Sequence, residues 1–176
     1  MKQLWLAIKD LPPEGKEIII NDQSVWQSPI DEFALPYTIT EEFAARLFLI
    51  PQEQGCIAHG TITGTVVVPC DRCTQDATIA IKHNFDEVFM LDEAVSSEDT
   101  EPNIRIEHES TGIEIELAGV LWEEFIIALP VKPVCKADCK GLCAECGKDL
   151  NTGECECSKS SLDPRLAVLQ NLKITK

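Results

Sequence analysis

Positive charge is scarce in this chain. Fifteen Lys and Arg stand against 30 Asp and Glu among 176 residues, a formal net charge of −15. The shortage is uneven. Residues 1–130 carry 24 acids and 7 bases, whereas residues 131–176 carry 6 acids and 8 bases. An acidic surface repels phosphate backbones, which nucleic-acid binding must neutralise with Lys and Arg. Direct RNA contact is therefore confined to the tail, and the body suits a basic protein partner. Acid that serves solubility alone fits the same count. Long apolar runs are also missing. The first apolar stretch, residues 4–8, is too short for a signal-peptide core (about 7–15 residues) or a membrane span (about 20). The expectation is a cytoplasmic protein with no membrane contact. Aromatic residues make up only 6%. Trp5, Trp26 and Trp122 lie far apart and read as core positions rather than a base-stacking platform. No internal repeat is evident.

What is present is β pattern, then helix, then cysteine. Residues 4–8 and Lys16–Ile20 suit short strands, separated by a Pro-Pro-Glu-Gly break. Asn21-Asp22 is a cap for a short helix through Trp26, which Pro29 and Pro36 limit. Residues 45–50 and 57–69 form strands, and Gly60 and Gly64 suggest bulges or a sharp bend in the second. Residues 77–82 nearly alternate and continue as a strand toward Met90. The whole reads as an antiparallel meander with Cys70 and Cys73 at a tight turn. Residues 91–103 are acidic and polar, without apolar periodicity, and read as a mobile loop. Short strands at 104–106 and 113–115 precede a helix over 117–129. In that helix Leu117, Leu121, Phe125 and Leu129 recur every four residues, Val120, Ile126 and Ile127 fill in, and Glu123 and Glu124 mark the wet side. Asp163-Pro164 opens a last short helix carrying Leu166, Leu169 and Leu172.

The cysteines carry the chemistry. In the cytosol thiols stay reduced, so nine cysteines read first as metal ligands. Six fall within residues 135–157, at Cys135, Cys139, Cys143, Cys146, Cys155 and Cys157. Cys143-Ala144-Glu145-Cys146-Gly147 is a knuckle: two thiols chelate one ion, and the glycine permits a tight turn that aims N–H groups at sulfur. Leu142 and Leu150 are the only large aliphatics between 135 and 157, so this segment needs a metal to fold. Structural zinc supplies about 10–16 kcal/mol in zinc-finger peptides, against about 2–4 for a disulfide. The tail has no His, and all-sulfur ligation points to a structural ion with no open catalytic position. The partners of Cys143 and Cys146 stay open: Cys155 with Cys157, Cys135 with Cys139, a mixed set, or a six-cysteine cluster holding two ions.

Cys70 and Cys73 form a separate C-x-x-C. Three readings apply: a redox pair, a metal half-site completed by spare tail cysteines, and a thiol-lined turn kept for packing or partner contact. Antiparallel flanks lack the βαβ context of a redox motif, and the spacing favours the turn. Cys56 reads as a buried apolar residue. His59, His83 and His108 lack ligand spacing and read as structural or solvated.

Several of these motifs together resemble the YceD family, the large ribosomal RNA subunit accumulation proteins. Cys70-Asp71-Arg72-Cys73 after a β run resembles its C-x-R-C element. Gly112-Ile113-Glu114-Ile115-Glu116-Leu117, leading to Glu123-Glu124 and Ala128-Leu129-Pro130, resembles its second block. The segment from Cys139 through Cys143, Cys146-Gly147 and Leu150-Asn151 to Cys155 and Cys157 resembles its Cys-rich tail, and Asp163-Pro164-Arg165-Leu166 its closing segment. The resemblance covers most of residues 43–173. Ala144 stands where the family often has Pro, and Cys56 lies outside the pattern. Some relatives lack the Cys-rich tail, which implies that metal stabilises rather than defines the function. The resemblance implies a role in making or accumulating large-subunit (23S) rRNA.

The combined expectation is an α+β protein. Residues 1–130 form an acidic body with an antiparallel β-sheet or open-barrel core and flanking helices. Residues 131–176 form a Cys-rich zinc-binding tail ending in a short helix. The expected function is that of a non-enzymatic ribosome-biogenesis factor with structural zinc. It would bind a basic ribosomal or rRNA-processing protein, touch rRNA or that same partner through the tail and take no small-molecule substrate. Two rival readings are a thiol–disulfide protein using Cys70 and Cys73, and a zinc-containing interaction adaptor with no ribosomal link.

Overall fold

The computed structural model describes residues 3–90, 104–106 and 113–157. The expected loop over 91–103, His108 and the closing helix from Asp163 lie outside these residues. Two antiparallel sheets and two helices form an α+β fold. The larger sheet is a meander of β2 (Lys16–Ile20), β3 (Thr38–Gln52), β4 (Gly55–Pro69) and β5 (Asp76–Met90), in that spatial order. The smaller holds β1 (Trp5–Ala7), β7 (Ile113–Glu116) and β6 (Ile104–Ile106). The sheet option of the sequence reading holds, and no barrel closes.

Period-two alternation sends Phe43, Ala45, Leu47 and Leu49 of β3 to one face, with Ala58, Ile62 and Val66 of β4 and Ala77, Ile81, Phe85 and Phe89 of β5. Helix α2 (Leu117–Ala128) lies on this face and also touches β1 and α1 (Ser24–Glu32). An aromatic cluster forms the centre. Trp26 and Phe43 have centroids 5.4 Å apart, Phe43 meets Phe125 edge-on at 5.2 Å, and Trp122 stacks on Phe125 at 5.3 Å. Glu116 caps α2 by accepting from the N–H groups of Ala118 and Gly119, and it also accepts from Leu4 N–H. One buried carboxylate thus ties the N-terminal strand to the helix.

Three local expectations need correction. Helix α1 runs past Trp26 to Glu32 with Pro29 inside it. Pro29 is fully buried, and the packing of its ring offsets the hydrogen bond it cannot donate. The expected cap holds: Asp22 Oδ1 accepts from Ser24 N–H at 3.0 Å and from its hydroxyl at 2.7 Å, while Gln23 between them is already helical and makes no side-chain cap bond. Glu124 is buried, not wet: its Oε2 lies 2.7 Å from His83 Nε2 on β5, while Ile126 and Ile127 face outward. The helix is wedged between α1 and the sheet, so its buried stripe is rotated toward Glu124.

Gly60 and Gly64 do not bulge. The register of β4 against β5 is unbroken there, and the irregularities on the β3 side are extra residues of β3. The glycines leave room for rings instead. A Cβ on Gly60 would stand 2.1 Å from Phe85 Cζ, and one on Gly64 2.6 Å from Phe43 Cδ1. Gly60→Ala should displace the Phe85 ring and lower stability by about 1–3 kcal/mol, read from the urea midpoint. An unshifted midpoint would show that the ring does not need this space.

Candidate metal centres

Eight of the nine cysteines gather into two tetrads. Cys70 and Cys73, on the turn between β4 and β5, meet Cys135 and Cys139 from the segment after α2. Cys143 and Cys146 meet Cys155 and Cys157. Within each tetrad every Sγ lies within 4.8 Å of the others. Cys70 and Cys139 sulfurs are 3.9 Å apart, Cys73 and Cys135 3.6 Å, and Cys143 and Cys155 3.4 Å. A tetrahedral ion about 2.3 Å from four sulfurs sets them about 3.8 Å apart, whereas a disulfide needs about 2.05 Å. Either group could hold a metal ion. Cys135 and Cys139 thus turn toward the body, away from Cys143 and Cys146. Cys56 stays apart as a buried apolar residue, and burial pushes its thiol up to about 11.

The two C-x-x-C turns share one backbone frame. In the tail, Cys143 N–H donates to Lys148 C=O at 2.8 Å, Gly147 N–H donates to Cys143 C=O at 2.9 Å, and Gly147 has φ +73°. In the body, Cys70 N–H donates to Gln75 C=O at 2.8 Å, Thr74 N–H donates to Cys70 C=O at 2.9 Å, and Thr74 has φ +62°. Thr74 therefore occupies the left-handed position that Gly147 fills without strain. The frame aims N–H groups at the leading sulfur. Cys146 and Glu145 N–H groups and the Cys155 thiol bring Cys143 down to about 6. Burial raises Cys70, but the N–H groups of Cys135, Arg72 and Cys73 outweigh it and bring that thiol also to about 6. Arg72 N–H lies 3.4 Å from Cys70 Sγ. Cys139 is lowered first by the Asn151 amide, whose Nδ2 is 3.4 Å from its sulfur. Their neighbours move the other way. The hydrogen bond with the Cys146 thiol, then burial, pushes Cys157 up to about 12. Cys73 also rises to about 12: the Gln75 N–H pulls it down, but burial and the thiols of Cys139, Cys135 and Cys70 prevail. One thiolate in a cluster makes the next costly, and a cation removes that cost.

Three residues that the sequence reading passed over hold the tetrads together. Arg72 donates from Nη1 to Cys139 C=O at 2.9 Å, and its own carbonyl accepts from Leu142 N–H at 2.9 Å. Asn151, beside the second tetrad, reaches a sulfur of the first and accepts from Lys140 N–H at 2.9 Å. Thr74 supplies the left-handed turn. Arg72 and Asn151 had a signal, as members of the C-x-R-C element and of the Cys-rich tail segment that resembles the family, whereas Thr74 had none. His59 pairs with Asp86 at the surface, and no described His joins either tetrad.

Comparison with known proteins bears on these motifs. Residues 58–173 match the family described as Large ribosomal RNA subunit accumulation protein YceD. The chain belongs to the YceD family. The matched span contains β4 from Ala58 onward, β5, α2 and all eight clustered cysteines. Among similar proteins, an uncharacterized protein of Mycobacterium tuberculosis is 30% identical over 118 residues, which cover 66% of this chain and 55% of its own length. The Bacillus subtilis protein YlbN is 28% identical over 64% of this chain and 63% of its own length. The chloroplastic YCED homolog 1 of Arabidopsis thaliana is 28% identical over 60 residues, 34% of this chain and 19% of its own. The chain spans little more than half the length of the mycobacterial relatives it matches. No solved structure matches. Among the described residues, no helix is long and apolar enough to cross a membrane.

Proposed function

We propose that this YceD-family chain is a non-enzymatic, cytoplasmic ribosome-biogenesis factor. It supports accumulation or processing of large-subunit (23S) rRNA by holding a basic ribosomal or rRNA-processing protein. The observation that carries the reading is the family match over residues 58–173, whose name states rRNA accumulation. The charge division agrees with it. Residues 1–130 hold 24 acids against 7 bases, a surface that steers a basic partner in.

Some of the bases lie near the cysteines in the chain. Arg72 and Lys132, with Asp71 and Val134, line a cleft of about 520 Å³ beside the first tetrad, and Lys136, Lys140 and Lys148 are exposed in the tail. Any phosphate contact falls here. The ion at Cys143, Cys146, Cys155 and Cys157 is zinc, since four thiolates in tetrahedral array suit it and leave no position for substrate. The redox alternative has less support. Cys70 and Cys73 are each about 1% exposed, and an exchange-active thiol needs access.

Depletion of the protein should lower 23S-type rRNA and the large-subunit peak in a sucrose gradient, leaving small-subunit rRNA unchanged. Equal levels of both rRNAs, with and without the protein, would remove the proposal.

A further inference from the structure

We propose that Cys70, Cys73, Cys135 and Cys139 form a second zinc site, and that its ion joins the tail to the body. Three observations carry this independently of the rRNA role. First, the four sulfurs converge from segments more than 60 residues apart, with pairs at 3.6 and 3.9 Å. Those separations fit the edges of a ZnS₄ tetrahedron and exclude disulfides. Second, the Cys70–Cys73 turn reproduces the three-part backbone frame of the Cys143–Cys146 knuckle, down to a left-handed residue one position after the second cysteine. A left-handed threonine is a costly choice for a turn that only packs. Third, the site is the more buried of the two: Cys70, Cys73 and Cys139 are each under 5% exposed. Four thiols in such a place, without a cation, leave polarised sulfur facing sulfur.

Loading is a ligand exchange without redox change. The four S–H groups release their protons to water, Zn²⁺ sheds its own water ligands, and four Zn–S bonds form. The bonds that dock the tail surround this site. Asp71 N–H donates to Pro133 C=O at 2.8 Å, Leu142 N–H donates to Arg72 C=O at 2.9 Å, and Arg72 Nη1 donates to Cys139 C=O at 2.9 Å. The ion fixes the two ends that these bonds bridge. The second tetrad, built within residues 143–157, makes no such link by itself.

Zinc per chain by native mass spectrometry tests the proposal, on reduced protein purified without added metal. Wild type should carry two ions, Cys73→Ser one, Cys143→Ser one and the double variant none. Limited proteolysis separates the sites. Cleavage between residues 130 and 142 should quicken at least tenfold in Cys73→Ser and stay near wild type in Cys143→Ser. One ion in wild type, retained in Cys73→Ser, would overturn the second site, as would two ions retained in that variant. If Cys73→Ser is insoluble, wild type decides alone: two ions with all-sulfur X-ray absorption spectra support the proposal, and one ion refutes it. None of these outcomes depends on rRNA levels, so the site and the biological role fail separately.

Discussion

Stripping the metal with a strong chelator under reducing conditions should release residues 131–157 from protection against hydrogen exchange, while β3, β4 and β5 keep theirs. The tail has little else to hold it. Between Cys135 and Cys157 its large aliphatics are Leu142, 39% exposed, and Leu150, half-buried. Three backbone and side-chain bonds dock it to the β4–β5 turn. Each is worth about 1 kcal/mol net, whereas ordering each residue costs about 1–2 kcal/mol. An all-thiolate zinc in the tetrads would contribute about 10–16 kcal/mol, enough to decide whether this segment is folded. The sheet is different. Its core of Phe43, Leu47, Leu49, Ile62 and Val66 is closed without any sulfur ligand. Tail amides that stay protected after metal loss is verified by elemental analysis would show that the tail folds on its own contacts.

Phe43→Ala should cost about 3–5 kcal/mol, a large part of the roughly 5–15 kcal/mol that stabilises a domain. Phe43 is 0% exposed and touches each layer of the core. Its ring packs on Trp26 of α1 and Phe125 of α2 and covers Gly64 of β4. Its backbone is clasped as well: Phe43 N–H donates to Gln23 Oε1 at 2.9 Å, and Gln23 Nε2 donates to Phe43 C=O at 2.8 Å. Truncation empties the point where both helices meet the sheet, and no neighbouring ring can collapse into it without leaving its own partner. Phe48→Ala is the matched control. Phe48 faces the open side of the same strand, 39% exposed, and its loss should cost about 1 kcal/mol or less. Urea unfolding of both variants tests the pair; equal midpoint shifts would mean that the ring cluster does not organise the core.

Local pattern carried most of the architecture. Alternation in residues 77–82 marks β5, the four-residue recurrence of Leu117, Leu121 and Phe125 marks α2, and the C-x-x-C between two apolar strands marks the β4–β5 turn. The features that local pattern could not carry are decided by tertiary packing. Pro29 breaks an isolated helix but survives in α1 because its ring is buried. Gly60 and Gly64 carry the usual signal of a bulge, and only the rings across the sheet give them another purpose. Glu124 reads as solvent-facing until His83 is brought opposite it.

At the candidate site, Cys143 and Cys146 were legible because knuckle and glycine are adjacent in the chain. The grouping of Cys70 and Cys73 with Cys135 and Cys139 was not, for two physical reasons. Loops of more than 60 residues leave no trace in local spacing. Thr74 also hides the turn, because it holds a left-handed position where glycine would have announced a second knuckle.

Two all-thiolate centres also alter how the molecule looks to a distant partner. Eight thiolates around two divalent ions would leave each centre doubly negative, and the loaded chain would lie four charges below its formal −15. The tail's surplus of bases, 8 against 6 acids, would then be offset by the charge of the clusters beside which Lys132, Lys136, Lys140 and Lys148 lie in the chain. Metal supply would then set the long-range field as well as the fold. Full loading would bias the molecule toward basic proteins, and an empty tail would be the form least repelled by a phosphate backbone.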